Sequence, residues 1–323
     1  MQVGLKKIVV LGTGGTIAGL AAPHAADSRD YVAAQQPVGE LLAGLPTPAG
    51  CTLLCEQVAQ IDSKDMDLVV WQKLLQRCVH WLAQDDVQGL LITHGTDTLE
   101  ETAFLLQTVL APRKPVVLTC AMRPANAADT DGPQNLRDAL AVAATAGAQG
   151  VLAVCAGRIL GAQDVQKVHS SRLDAFSAGE AGDIGRVQQG RVDRQRDWPG
   201  PRVPQEMLLE VLLTASALPR VEIVLSHAAA CGATVDALVD PAVATRYGAQ
   251  PVRGLVLAGT GGGTVHHELE AALWRARGAG VRVLRSTRCV DGFLQPRPSD
   301  EFPVAPGLSP VKARLALMLE LLR

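Results

Sequence analysis

GLLITHGTDTLEETAFLL, residues Gly89 to Leu106, carries an apolar run through a short turn straight into an amphipathic helix pattern. Gly89 to Thr93 holds Leu90, Leu91 and Ile92 without a polar break, as a strand buried on both faces requires. Past the turn, Glu100 and Glu101 fall where negative charge favours a helix N-terminus. Similar short β-favouring runs stand at Lys7 to Leu11, Thr52 to Val58, Pro115 to Cys120 and Gly150 to Cys155, separated by longer amphipathic stretches. In one of these stretches, Leu68, Trp71, Leu74, Leu75, Cys78 and Leu82 recur at helical spacing as a core-facing stripe. The alternation predicts βαβ units and a doubly wound, mostly parallel sheet in an N-terminal α/β domain.

The rhythm breaks between Gly179 and Pro204, where Gly, Pro and charged residues replace the apolar runs and predict an irregular connection with a linker. It resumes with Val221 to Leu225, Gly254 to Ala258 and Val281 to Arg285, and a last helix from Ser309 to Leu322 opens on a Ser309-Pro310 cap. The expected organisation is a domain over residues 1–185, a linker over 186–220 and a second, smaller α/β domain over 221–323.

A chain of 323 residues with 48% hydrophobic and 19% charged residues is globular, and a formal charge of −2 supplies no field for nucleic acid or anionic membrane. The apolar stretch after Lys6 and Lys7 is too short for a leader or a span, so the reading is cytoplasmic, with no membrane partner. The seven scattered cysteines, without a C-x-x-C pair, read as buried reduced thiols. No H-E-x-x-H or Cys/His cluster suggests a metal, and His266-His267 reads as a solvated helix start. The glycine loops GTGGTIAG and AGTGGGT miss both dinucleotide and phosphate-loop spacings, which argues against a nucleotide cofactor. No G-x-S-x-G elbow is present.

Ligands of an open parallel sheet bind beyond the carboxyl ends of its strands, and those positions are rich in hydroxyls. Thr16 follows the first strand within a glycine-rich turn, Asp62 and Ser63 the second, Thr96 and Asp97 the third, and the AMRPAN segment the fourth. Thr96 and Asp97 also have a purely structural reading, as caps of the helix they precede.

GTGGTIAG (Gly12 to Gly19) and ITHGTDTLEETAFLL (Ile92 to Leu106) together resemble the two signature segments of the bacterial-type L-asparaginase/glutaminase family. The likeness continues through IDSKDM (Ile61 to Met66), Lys114 to Ala139, the GAQDVQKVHSSRLDAF stretch around Lys167, and SPVKAR (Ser309 to Arg314). It implies a catalytic N-terminal domain, a smaller C-terminal one, a homotetramer built as a dimer of dimers, and hydrolysis of L-asparagine without metal or organic cofactor. By the same resemblance Thr16 is the nucleophile and Tyr31, at the end of the polar Asp27 to Tyr31 segment, its helper on a lid. Thr96 and Lys167 form a second catalytic pair joined to Asp97; Lys167 serves as a base for a threonine proton only if burial lowers its pKa against the opposing effect of Asp97. Gly15, Asp62, Ser63, Gly95, Thr96, Asp97 and Ala121 hold the substrate. Gly261-Gly262-Gly263-Thr264 departs from the Gly-Asn-Gly-Asn run of many relatives, which reaches the substrate amino group across a subunit interface, and this bears on selectivity for asparagine over L-glutamine. Dual glutaminase-asparaginase activity and a non-catalytic amino-acid sensor on the same scaffold are the alternative readings.

Overall fold

The computed structural model describes residues 4–22, 30–200 and 205–323, which fall into two compact units, Met1–Leu209 and Glu210–Arg323. The larger unit is built on eight strands: β1 (Lys6–Gly14), β2 (Cys51–Ile61), β3 (Val87–Thr93), β4 (Pro115–Thr119), β5 (Gly150–Cys155), β6 (Arg158–Gly161), β7 (Gly185–Gln188) and β8 (Arg191–Arg194). Their spatial order is β8-β7-β6-β5-β4-β3-β1-β2. The five from β5 to β2 run parallel, Val9 pairing with Leu54 on one side and Leu90 on the other, while β6, β7 and β8 add an antiparallel edge.

Helix α1 (Leu68–Leu82) packs on β2 and β3, and α2 (Leu99–Leu110) packs on β5. Helix α3 (Gly132–Ala144) shares a core with Ile8, Val10, Leu91, Val117, Leu152 and Val154. Trp71, Leu74, Leu75 and Cys78 of α1 are buried as its stripe predicts, while Leu68 and Leu82 are half-buried at its two ends. Each fully buried leucine contributes about 2 kcal/mol.

The chain leaves β1 for β2 on one side, then returns for β3, β4 and β5 on the other. The direction of winding thus reverses between β1 and β3, and the loops leaving these two strands part to form a crevice.

The smaller unit carries a parallel sheet in the order β9 (Val221–Leu225), β10 (Gly254–Gly259), β11 (Arg282–Thr287). Helix α4 (His267–Gly278) buries Leu269, Ala272, Leu273 and Ala276 in its core, and α5 (Pro310–Leu322) starts at Ser309, whose hydroxyl accepts the Lys312 N–H. No helix among the described residues is long and apolar enough to cross a membrane.

Two expectations need correction. The stretch from Gly179 to Pro204 is not irregular throughout: β7 and β8 form a hairpin in it, with Val187 paired to Val192 and Gly185 to Ile159 of β6. Its alternation is hidden because only Gly185 and Val187 are buried, with Val192 half-buried, along a mostly solvated edge. Residues 201–204 of the stretch lie outside the described residues. The cysteines are all free, but only Cys78, Cys120 and Cys155 are buried; Cys55, Cys231 and Cys289 are exposed and Cys51 is half-buried. Cys55 sits on the outermost strand β2, which has a neighbour on one side only.

Candidate active site

Strand β1 ends in glycines because no other residue fits there. Gly15 has φ 81°, in the left-handed region, and a β-carbon on it would fall onto the Gly95 backbone. The loops leaving β1 and β3 therefore touch backbone to backbone. A bond from the Gly15 N–H to the Ile61 carbonyl, 2.8 Å, ties the first loop to β2 as well. Thr16 opens a single 3-10 turn, Thr16–Ala18, and its Oγ1 lies 2.7 Å from the Tyr31 hydroxyl. Tyr31 comes from a two-residue strand, Tyr31–Val32, paired with Leu20–Ala21. The Asn126 side chain grips the latter through the Ala21 N–H and carbonyl, at 2.8 and 3.0 Å. Of the polar segment from Asp27, the part up to residue 29 lies outside the described residues.

Across the crevice, the N-cap of α2 is Thr98, whose hydroxyl donates to the Ser63 carbonyl at 2.7 Å. Thr96 and Asp97 are thereby released from capping. Lys167 Nζ donates to Thr96 Oγ1 at 2.8 Å and to Asp97 Oδ1 at 2.6 Å, and the Thr96 hydroxyl faces the same carboxylate oxygen at 3.4 Å. Lys167 reaches this point from a two-residue strand, Gln166–Lys167, paired with Phe176–Ser177, and its own N–H donates to Glu100 Oε1 at 3.2 Å. Ser63 Oγ accepts the Asp97 N–H at 3.2 Å.

Thr16, Tyr31, Thr96, Asp97 and Lys167 line one cleft of about 240 Å³. Sequence reading missed four further lining residues: Met122, Arg123, Ser170 and Ser171. All four lie in segments already singled out, but nothing in the sequence says which side chains of a loop turn inward. Arg123 bridges the two loops, donating to the carbonyls of Met122 at 3.3 Å and Ser171 at 3.0 Å. Gly15, Gly95 and Ser63 form the close-packed base just described, and Ala121 is buried beside Met122. Asp62 caps the turn Ser63–Asp65, accepting the Lys64 N–H, and does not line the cleft. A larger hollow of about 600 Å³ lies over α3 and the β7–β8 hairpin; Arg137 is its one charged lining residue.

His94 lies directly before Gly95 and is fully buried. Burial pushes its imidazole down to about 4, against the opposing pull of the Gly95 carbonyl 2.8 Å from Nδ1. Its Nε2 has no hydrogen-bond partner among the described residues. The imidazole is therefore neutral at pH 7.

Residues 7–199 match the family model described as asparaginase, N-terminal, and residues 220–323 the one described as glutaminase/asparaginase C-terminal domain. A glutaminase-asparaginase of Pseudomonas fluorescens biotype A is 34% identical, over 98% of this chain and 86% of its own. L-asparaginase 2 of Bacillus subtilis is 33% identical, over 98% and 83%. The crystal structure of a probable cytoplasmic L-asparaginase from Campylobacter jejuni superposes with a TM-score of 0.83 at 32% identity, covering 98% of this chain and 95% of that one. With both family models matched in order and near-complete coverage of these relatives, the chain belongs to the asparaginase family.

Proposed function

We propose that this protein is an L-asparaginase that hydrolyses the side-chain amide of L-asparagine to L-aspartate and ammonia through an ester on Thr16. One observation carries the reading: two threonine hydroxyls, each with its own proton-transfer partner, line the same cleft at the point where the sheet reverses its winding.

A threonine hydroxyl attacks an amide only when a neighbouring group takes its proton and the carbonyl is polarised. Thr16 has Tyr31 at 2.7 Å to relay that proton. Attack by Oγ1 on the carboxamide carbon, protonation of the leaving nitrogen and loss of ammonia leave a β-aspartyl ester. The second half needs an activated water, and Thr96, Lys167 and Asp97 form the connected chain for it. Lys167 and Asp97 hold Thr96 in that chain, the attacking water gives up a proton as it adds to the ester carbon, and a proton returns to Thr16 Oγ1 as the ester opens. Ser63 and Asp97, joined through the Asp97 N–H, are placed to hold the α-carboxylate and α-amino groups.

Activity on glutamine as well is the second reading, favoured by the similarity to the Pseudomonas protein, whose name carries both activities. The homotetramer and the cytoplasmic setting belong to the same proposal, the latter supported by the likeness to the Campylobacter protein.

Thr16→Val tests the assignment with little change of volume. Ammonia release from asparagine is expected to fall by roughly a thousandfold or more with the fold intact, and retention of about a tenth of the rate would remove Thr16 from the reaction.

A further inference from the structure

We propose that Asp131 is a positioning residue that sets the reach of the cleft, and with it the discrimination between carboxamides of different side-chain length; this rests on the amidohydrolase reading above. Asp131 stands at the N-cap of α3, where an aspartate ordinarily accepts an N–H of its own helix. It makes no such bond. Its carboxylate takes the Met122 N–H on both oxygens, each at 3.0 Å, and the Arg123 N–H at 3.0 Å. Asn135, one turn along the helix, donates to the same carboxylate at 3.0 Å and to the Cys120 carbonyl at 2.9 Å, while its oxygen accepts the Ala156 N–H at 3.0 Å. The segments just beyond β4 and β5 are thus tied to one helix start.

Met122 and Arg123 line the cleft, so the wall they form is held by a buttress of charge-assisted hydrogen bonds. The next residue, Gly132, lies close to both sides of the site. A β-carbon on Gly132 would lie 3.2 Å from Ile17 Cγ1, beside Thr16, and 3.6 Å from Ala121 Cβ. The start of α3 therefore gauges the separation between the nucleophile's turn and the opposite wall. A site distinguishes substrates one methylene apart only through a wall that does not yield.

Asp131→Asn keeps the shape, removes the charge and, in either amide orientation, sets an NH₂ against the Met122 N–H. The measurement is kcat/KM for asparagine and for glutamine on the full chain, read as a ratio, because a ratio is unaffected by the fraction folded. The ratio is expected to shift toward glutamine by roughly threefold or more, part of the 10- to 200-fold that one methylene is worth, with a raised KM for asparagine. A lowered melting temperature with a ratio within about twofold of the parent's would leave Asp131 purely structural and overturn the proposal. Gly132→Ala keeps the carboxylate and crowds Ile17, beside Thr16, by a few tenths of an ångström, so it serves if Asp131→Asn does not fold. It must shift the ratio in the same direction, and an unchanged ratio overturns the proposal. A parent enzyme that releases ammonia from neither amide would overturn the amidohydrolase reading and this proposal together, whereas an unchanged ratio overturns this one alone.

Discussion

The glycine-rich loop after β1 and the one after β10 begin alike and end differently. Each follows a buried parallel strand and carries threonines among glycines. After β1, Thr16 meets Tyr31 and lines a cleft. After β10, the loop closes on itself: the Thr260 N–H donates to the Thr264 carbonyl at 2.9 Å, their hydroxyls meet at 2.7 Å, and the Thr287 hydroxyl donates to the Gly261 carbonyl at 2.8 Å. The sheets explain the difference. In the larger one, winding reverses beside β1 and leaves a crevice; in the smaller one, β9, β10 and β11 follow one another in a single direction and none opens. A glycine-rich turn after a strand thus lines a cleft of its own chain only where topology leaves room beside it.

The largest effects expected, after that of Thr16→Val, are those of Thr96→Val and Lys167→Met, which remove opposite ends of one hydrogen bond. Each should lower kcat for asparagine by roughly 10²- to 10⁴-fold, and the double variant should lose little more than either single one. Additive losses in steady-state kinetics would show that the two do not act as a unit.

The glycines offer a smaller but direct contrast. Gly15→Ala meets both an unfavourable φ and the Gly95 backbone, whereas Gly261 has φ 44° with nothing within 4 Å of its would-be β-carbon. Urea unfolding should show a loss of about 3 kcal/mol or more for Gly15→Ala, and about 1 kcal/mol for Gly261→Ala. Equal losses would break the distinction between a loop packed on its neighbour and one facing open space.

A smaller effect than that of Gly15→Ala is expected on acid stability. His94 titrates near 4 in the folded larger unit, and at about 6.5 once unfolded. The unfolded chain takes up the proton first, so the stability contributed by the neutral imidazole is complete above about pH 6.5 and is lost as pH falls towards 4. By pH 5 the loss is about 2 kcal/mol. Urea titrations at pH 7 and pH 5 should show this difference in the parent and a flatter profile in His94→Asn.

Much of this was legible because the signals were local. The buried strands announced themselves as unbroken apolar runs, and hydroxyls clustered after three of them. The AMRPAN segment could be singled out, but not the inward turn of Met122 and Arg123. Lys167 was legible only through family resemblance, since a lysine on a two-residue strand has no periodicity to place it, and its partner Thr96 is 71 residues away. The β7–β8 hairpin was missed because a solvated edge needs few apolar residues.

The order of buried and turn-forming residues along the chain was enough to determine the α/β alternation, the glycine turns and the hydroxyls beyond the strands, because each depends on neighbours within a few residues. Which strand lies beside which, and so where winding reverses, depends on how helices share the two faces of a sheet. Tertiary packing alone decided that Thr16 would face Thr96 and Lys167 across one crevice, and that the Asp131 carboxylate would leave its own helix to hold the crevice wall.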